Sequence, residues 1–168
     1  NKVVWHENLG SGSFSPQNIV SMWLDGPTSA YAFDLDGDGD ADVLCSSTIN
    51  NSIAWYENLG GGSFSAQKIV STEVDGAESA YAADLDGDGD LDILSASYGD
   101  DKIAWYENLG GGSFSAQKII STSADGATSI YAADLDGDGD YDALSSSSWD
   151  DKIAWYENTD GNGTFSTQ

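Results

Sequence analysis

Asp84–Asp92 reads DLDGDGDLD, and the same nonapeptide stands at Asp34–Asp42 as DLDGDGDAD and at Asp134–Asp142 as DLDGDGDYD. Alternating aspartates around a glycine at position six let a loop wrap a hard cation, with side-chain oxygens from positions one, three and five and a main-chain carbonyl from position seven. An EF-hand would close with Glu at position twelve. Here that position is Cys45, Ser95 or Ser145, which leaves the ninth-position aspartate as the closing ligand. The expected side-chain ligands are therefore Asp34, Asp36, Asp38 and Asp42; Asp84, Asp86, Asp88 and Asp92; and Asp134, Asp136, Asp138 and Asp142. Asp40, Asp90 and Asp140 are expected to act through their carbonyls. Calcium takes six to eight oxygens at about 2.3–2.6 Å, so a flexible all-carboxylate loop suits it better than the tight octahedron of magnesium, and calcium is expected at all three sites. The plain alternative is a solvated Asp-Gly turn between two strands. A turn alone does not require aspartate at positions one and nine, and all three copies retain every ligand position. No repeated Cys or His exists to hold a thiolate or imidazole metal.

The charge balance agrees. The 168 residues carry 29 Asp plus Glu against 5 Lys plus Arg, a formal net charge of −24, and fifteen of those acids lie in the three nonapeptides. Five carboxylates in nine residues repel one another and push their own pKa values upward unless a cation sits among them. Without clustered Lys and Arg the chain is not expected to bind nucleic acid. Aromatics make up 11%, including 6 Trp and 8 Tyr, too many core-forming side chains for a disordered acidic tail. No apolar run approaches the roughly 18 residues of a membrane span, so membrane insertion is not expected. The amino terminus does not read as a signal peptide, and a start at Asn1 leads us to expect a processed or excised segment. Cys45 is the single cysteine, so it forms no intrachain disulfide.

Self-comparison decides the architecture. WHEN at Trp5 and WYEN at Trp55, Trp105 and Trp155 recur every 50 residues, as do GSFS at Gly12, Gly62 and Gly112. Residues 51–100 and 101–150 share 38 of 50 positions without a gap, whereas TDGNGTFS from Thr159 is one residue longer than LGGGSFS from Leu59. Within one unit, SAYAAD (Ser79–Asp84), LDILSAS (Leu91–Ser97), KIAWYEN (Lys102–Asn108) and FSAQKIIS (Phe114–Ser121) read as four short strands, with LGGGS (Leu109–Ser113) as a hairpin turn. No segment has helical spacing over ten residues. The expected fold is all-β, with four-stranded antiparallel meanders packed face to face as propeller blades. The units are 1–21 (a half blade with only the last two strands), 22–71, 72–121 and 122–168. Three meanders and a half cannot close a ring, so other repeats of the same protein or further copies of this chain are expected to complete it.

On these motifs the chain resembles the FG-GAP and VCBS repeats of integrin alpha propellers and of a group of fungal lectins. The resemblance spans essentially the whole chain and implies one blade per repeat in a roughly seven-bladed ring. It also implies calcium between the first and second strands of a blade, and an extracellular or cell-surface recognition or adhesion role. The Gly-Ala-Pro signature of the integrin type appears only as GPT at Gly26, GAE at Gly76 and GAT at Gly126, so the match is closer to the broader bacterial and algal repeats, and integrin partners do not carry over.

The expected function is thus an extracellular calcium-stabilised binding or adhesion module with a protein or glycan ligand, its metal structural rather than catalytic. A carbohydrate-binding lectin and a subunit of a surface layer or filament are the alternatives. WYEN recurs in every blade, which suits Trp as a wedge between blades and Glu or Asn as turn closers better than it suits sugar contact. Tyr98 and Trp149 fall where near-identical repeats differ, alongside Ile49, Gly99 and Ser148, and are the expected ligand contacts. His6 replaces the Tyr of WYEN and is the only histidine, and no carboxylate pair stands apart from the loops, so no enzyme is expected. Asn50 in NNS and Asn162 in NGT fit the N-glycosylation pattern.

Overall fold

A computed structural model describes all residues from Asn1 to Gln168, and every regular element in it is a β-strand. β1 (Val3–Trp5), β2 (Asn8–Gly10), β3 (Ser13–Phe14) and β4 (Asn18–Ser21) form the leading half unit, paired as β1 with β4 and β2 with β3. β5 (Pro27–Phe33), β6 (Asp42–Ser47), β7 (Ser52–Tyr56) and β8 (Lys68–Ser71) make one antiparallel sheet in sequence order. β9 (Ala77–Ala83), β10 (Asp92–Ser97), β11 (Lys102–Tyr106) and β12 (Lys118–Ser121) repeat it. β13 (Ala127–Ala133), β14 (Asp142–Ser147) and β15 (Lys152–Tyr156) make a three-stranded version. The blade-like unit with a 50-residue period is therefore present, and these residues form an open arc of such units.

The fourth strand differs from its expected span. Only Lys118–Ser121 pairs with β11, while Phe114 makes an isolated bridge to Asn108. Between them Ser115 exchanges main-chain and side-chain bonds with Glu107: its N–H donates to the Glu107 carbonyl and its Oγ accepts from the Glu107 N–H. A side chain substitutes for a ladder partner there, and the strand breaks. Likewise the β2–β3 hairpin adds a small pair at the tip of the leading half unit, beyond its two expected strands.

Cores lie between units. One cluster joins Leu35, Leu44, Ile53 and Trp55 of unit 22–71 to Val74, Ala77, Ala80, Ala82, Ile93 and Tyr106 of the next; a second repeats the arrangement between units 72–121 and 122–168. Sandwiched sheets must be apolar on both faces, and every residue of β10 is buried. The first strands are rich in Ala and Ser, which lets them approach closely. Thr28 Oγ1 donates to the Ala77 carbonyl (2.8 Å), the Ala80 N–H donates to Ser29 Oγ (3.2 Å), and the rings of Tyr31, Tyr81 and Tyr131 follow one another at 5.7 and 4.5 Å. At the other edge, β8 and the 115–117 segment line a cleft that Gln117 spans, its Nε2 donating to the Glu73 carbonyl (3.0 Å) and to Tyr106 Oη (2.9 Å).

The tryptophans are the wedges. Trp55 and Trp105 are buried, and each indole lies beneath a glycine of the following unit's hairpin turn. A β-carbon on Gly112 would lie 2.6 Å from Trp55 Cη2 and nearer still to Cζ2. A lysine lies over the ring of each indole, Lys68 Nζ 4.2 Å from the Trp55 ring centroid and Lys118 Nζ 4.1 Å from that of Trp105. Those lysines also pair with Glu57 and Glu107 at 2.6 Å.

Candidate metal centres and binding clefts

Each acidic nonapeptide connects the first strand of a unit to the second, β5 to β6, β9 to β10 and β13 to β14. The chain reverses there through two left-handed residues, φ +77° at Gly87 and +96° at Gly89 in the middle copy, a conformation that glycine adopts without steric cost. Those turns point loop N–H groups at the carboxylates. In the middle copy Asp84 accepts from the Gly87 N–H (2.8 Å) and the Gly89 N–H (3.1 Å), Asp86 from the Asp88 N–H (3.3 Å), and Asp88 from the Asp90 N–H (2.9 Å). The first and third copies repeat this pattern bond for bond.

The ninth-position aspartates differ in kind. Asp42, Asp92 and Asp142 are buried at the mouths of β6, β10 and β14. Both oxygens of Asp92 are held by main chain, Oδ2 by the Leu85 N–H (2.9 Å) and Oδ1 by the Asn108 N–H (2.7 Å). Two donors do not offset the loss of water. Burial pushes the Asp92 carboxyl up to about 7, with Asp86 and Asp88 adding repulsion, and raises Asp42 for the same reasons. Asp86 is raised by burial and by Asp88. In the third loop Asp140 is raised, first by desolvation and then by Asp138, Asp134 and Asp136.

The structure gathers most, though not all, of the expected ligand sets. Oxygens of Asp34, Asp36 and Asp42 lie within 4.8 Å of one another, as do those of Asp84, Asp86 and Asp92, and of Asp134, Asp136 and Asp138. Asp38 and Asp88 stand outside the first two groups, and Asp142 outside the third. Two of the seventh-position side chains reach toward the hairpin turns, Asp90 toward Gly110 and Asp140 against Gly161. Three converging carboxylates per loop, one of them buried without a counter-charge in the first two loops, are hard oxygen donors that fit a divalent cation.

Asn108, from WYEN, was expected to close a turn and does more. Its Oδ1 accepts from the Gly110 N–H (3.1 Å), while its Nδ2 donates to the Leu91 carbonyl of its own acidic loop (3.0 Å) and to the Leu35 carbonyl of the preceding one (2.9 Å). Asn158 reaches the Leu85 and Tyr141 carbonyls in the same way, at 2.8 and 3.3 Å.

Two surface features offer ligand contact. Tyr98 and Trp149 meet edge to face across adjacent units with centroids 4.9 Å apart, and Trp149 is 63% exposed. The other feature is a cleft that recurs between the outer strand of one unit and the turn of the next. Between Ile69–Glu73 and Ser115–Gln117 it holds about 250 Å³; between Ile19–Trp23 and Ser65–Gln67, floored by Tyr56, it holds about 500 Å³. Trp23, 83% exposed, and Met22 enlarge the apolar wall of the second cleft. Sequence reading missed Trp23, although it occupies the position of Glu73 and Ser123 and so carries the same variability signal that singled out Trp149.

The remaining singled-out residues are quiet. The exposed His6 lies against the Ser15 carbonyl through Nδ1 (3.0 Å). Cys45 is buried among Val3, Leu24 and Tyr56, and burial pushes its thiol up to about 12. Asn50 and Asn162 are exposed, and Asn50 Oδ1 accepts from the Asp25 N–H at 2.5 Å. No helix is long and apolar enough to cross a membrane.

Comparison with known proteins adds three findings. The model of a family described as FG-GAP-like repeat matches residues 1–45, 44–95 and 84–145. No curated protein sequence matches the chain. Among solved structures, a lectin of Agrocybe aegerita described for specific recognition of non-reducing terminal N-acetylglucosamine superposes with a TM-score of 0.68 at 23% identity, over 98% of this chain and 45% of the lectin. A Photorhabdus luminescens Tc holotoxin pore structure gives 0.49 at 19% identity, over 99% of this chain and 8% of that one. The chain thus spans less than half the length of either structure.

Proposed function

Because the chain belongs to the FG-GAP-like repeat family, we propose that it is part of an extracellular, calcium-stabilised propeller that binds carbohydrate in the clefts between its blades. One observation carries the sugar reading. The larger cleft brings an indole and a thioether, Trp23 and Met22, together with the amide of Gln67 and the unpartnered hydroxyl of Tyr56 in a space of about 500 Å³. That combination of a flat apolar ring and a few convergent polar groups, at a size that encloses a small ligand, is what a saccharide with one apolar face requires. The fold shared with the Agrocybe aegerita lectin supports the same direction. The test is a glycan array probed with the purified chain and with Trp23→Ala and Trp149→Ala. Loss of a defined glycan signal with Trp23→Ala alone supports the cleft. Uniform silence of the unaltered chain refutes the sugar reading and returns the module to protein adhesion, for which the exposed Trp149 packed on the half-buried Tyr98 is the surface.

In this proposal each ion takes side-chain oxygens of Asp34, Asp36, Asp38 and Asp42, or their counterparts, with the carbonyl of Asp40, Asp90 or Asp140. A bound ion supplies the positive charge that the buried Asp42 and Asp92 lack, and it ties the first strand of a blade to the second. Unit 122–168 leaves Ile153 80% and Trp155 43% exposed where Ile103 and Trp105 are buried, a face that a following blade would cover. That supports completion of the ring, of about seven blades by the family resemblance, by further repeats. Calorimetric melting with and without a chelator tests the metal, and an unchanged melt refutes it.

A further inference from the structure

The turn after β15 is one residue longer than its counterparts, and the change leaves a hole. In the two earlier units the WYEN asparagine starts the turn, Asn58 Oδ1 accepting from the Gly60 N–H (3.0 Å) and Asn108 Oδ1 from the Gly110 N–H (3.1 Å). In the last unit that task passes to Asp160, whose Oδ1 accepts from the Asn162 N–H (3.0 Å) and the Thr164 N–H (3.3 Å). Asn158 stays anchored through Nδ2 to the Leu85 and Tyr141 carbonyls, is 1% exposed, and its Oδ1 has no partner. A buried amide oxygen without a donor is costly unless something fills the gap.

Asn158 lines a cavity of about 90 Å³ between the acidic loops of adjacent units, together with Asp84, Gly87, Asp140 and Gly161. Asp140 projects into the longer turn, so that a β-carbon on Gly161 would lie 2.5 Å from its Oδ2. The Gly161 carbonyl faces the opposing loop, 3.4 Å from where a β-carbon on Gly87 would stand. Asp84 stays bonded to its own Gly87 and Gly89 N–H groups and adds negative charge to the wall. An unpartnered buried oxygen, a carboxylate excluded from the third nonapeptide group and a main-chain carbonyl thus meet in a space large enough for one ion or water.

We infer that this cavity is a further calcium site, separate from the three nonapeptide sites. It bridges the last two units and is held by the Asp140 carboxylate, Asn158 Oδ1 and the Gly161 carbonyl. Water completes the six to eight oxygens that calcium takes, so the site fills after the loops do. It has no counterpart between units 22–71 and 72–121, where Asn108 Oδ1 is already satisfied.

Flow dialysis with calcium chloride on the full chain counts bound ions in the unaltered protein, in Asp140→Asn, and in a variant whose Thr159–Phe165 turn is replaced by LGGGSF from Leu109–Phe114. Asp140 serves the nonapeptide through its carbonyl only, so that site survives Asp140→Asn. The turn replacement restores a glycine N–H to Asn158 while leaving every aspartate of the loops in place. Each variant is expected to bind one equivalent fewer than the unaltered chain, four becoming three when all the loops are filled. A drop from one equivalent to none would keep this inference while refuting calcium in the nonapeptides. Equal stoichiometry in all three proteins, as an ordered water in the cavity would give, overturns it.

Discussion

Replacing Gly112 by alanine tests whether the tryptophan wedge holds neighbouring units together. Gly112 has φ +69°, and its new β-carbon would lie 2.6 Å from Trp55 Cη2 and nearer still to Cζ2, so the ring must move or the turn must open. The left-handed conformation costs a non-glycine residue about 1–2 kcal/mol, and forcing extra carbon into a packed interface costs about 1–3 kcal/mol more, for a total of about 2–5 kcal/mol. Gly111 supplies the control within the same turn: its φ is +60°, but nothing lies within 4 Å of its would-be β-carbon, so Gly111→Ala should cost only about 1–2 kcal/mol. The excess at Gly112 should vanish in a Trp55→Leu background, where the indole is gone. The assay is urea unfolding at saturating calcium, read by tryptophan fluorescence and by far-ultraviolet circular dichroism, with the coupling taken from the four-protein cycle. Equal losses for Gly111→Ala and Gly112→Ala, or a Gly112 penalty that persists without the indole, would refute the wedge.

Three further outcomes are expected. Asp92 carries a folded-state pKa of about 7 against an ordinary 3.8, so its contribution to stability is fully present below about 4 and lost as pH rises through 7; the gap in melting temperature between calcium-loaded and metal-free protein should therefore widen from pH 5 to pH 8, and a constant gap would contradict this. Asn108→Ala should cost about 2–4 kcal/mol, because it leaves the Leu35 and Leu91 carbonyls without a donor, whereas Asn58→Ala, whose Nδ2 reaches only the Ala41 carbonyl, should cost less; thermal unfolding of the two variants decides it. Cys45, buried and with its thiol pushed up to about 12, should resist a thiol reagent at pH 8 until the protein unfolds, and rapid labelling of the native chain would show that the first inter-unit core opens.

What could be read in advance was whatever the 50-residue repeat makes local. The acid turns, the strands on either side of them and the tryptophan wedges recur at fixed spacing, and each is specified by residues within a few positions of one another. Contacts between units were harder to read. The bond from Asn108 to the Leu35 carbonyl crosses 73 residues, and a hydrogen-bonding amide in WYEN reads as a turn closer because its second partner lies in another repeat. Strand four failed for a local reason of a different kind: Phe114–Ser121 has strand composition throughout, yet Ser115 offers Glu107 a side-chain acceptor in place of a ladder carbonyl. Trp23 carried the same signal, standing where the later units have Glu73 and Ser123, but it lies between β4 and β5, away from the stretch before the third strand of a unit where Tyr98 and Trp149 stand.

The Asn108 bond also bears on how an ion in one loop is felt elsewhere. Leu35 is position two of the first acidic loop and Leu91 is position eight of the second, so one amide is shared by two adjacent acidic loops. The N–H of the same residue caps the buried Asp92. Anything that reshapes the first loop thus perturbs the residue that holds the closing carboxylate of the second. In repeat folds, stability is approximately a sum of unit terms and nearest-neighbour terms. Here the nearest-neighbour term includes this shared amide as well as apolar area. Disabling the first loop with Asp34→Asn plus Asp36→Asn should therefore weaken calcium binding at the intact second loop. The effect should fade when Asn108 is also replaced by alanine, because the second loop then no longer shares a donor with the first.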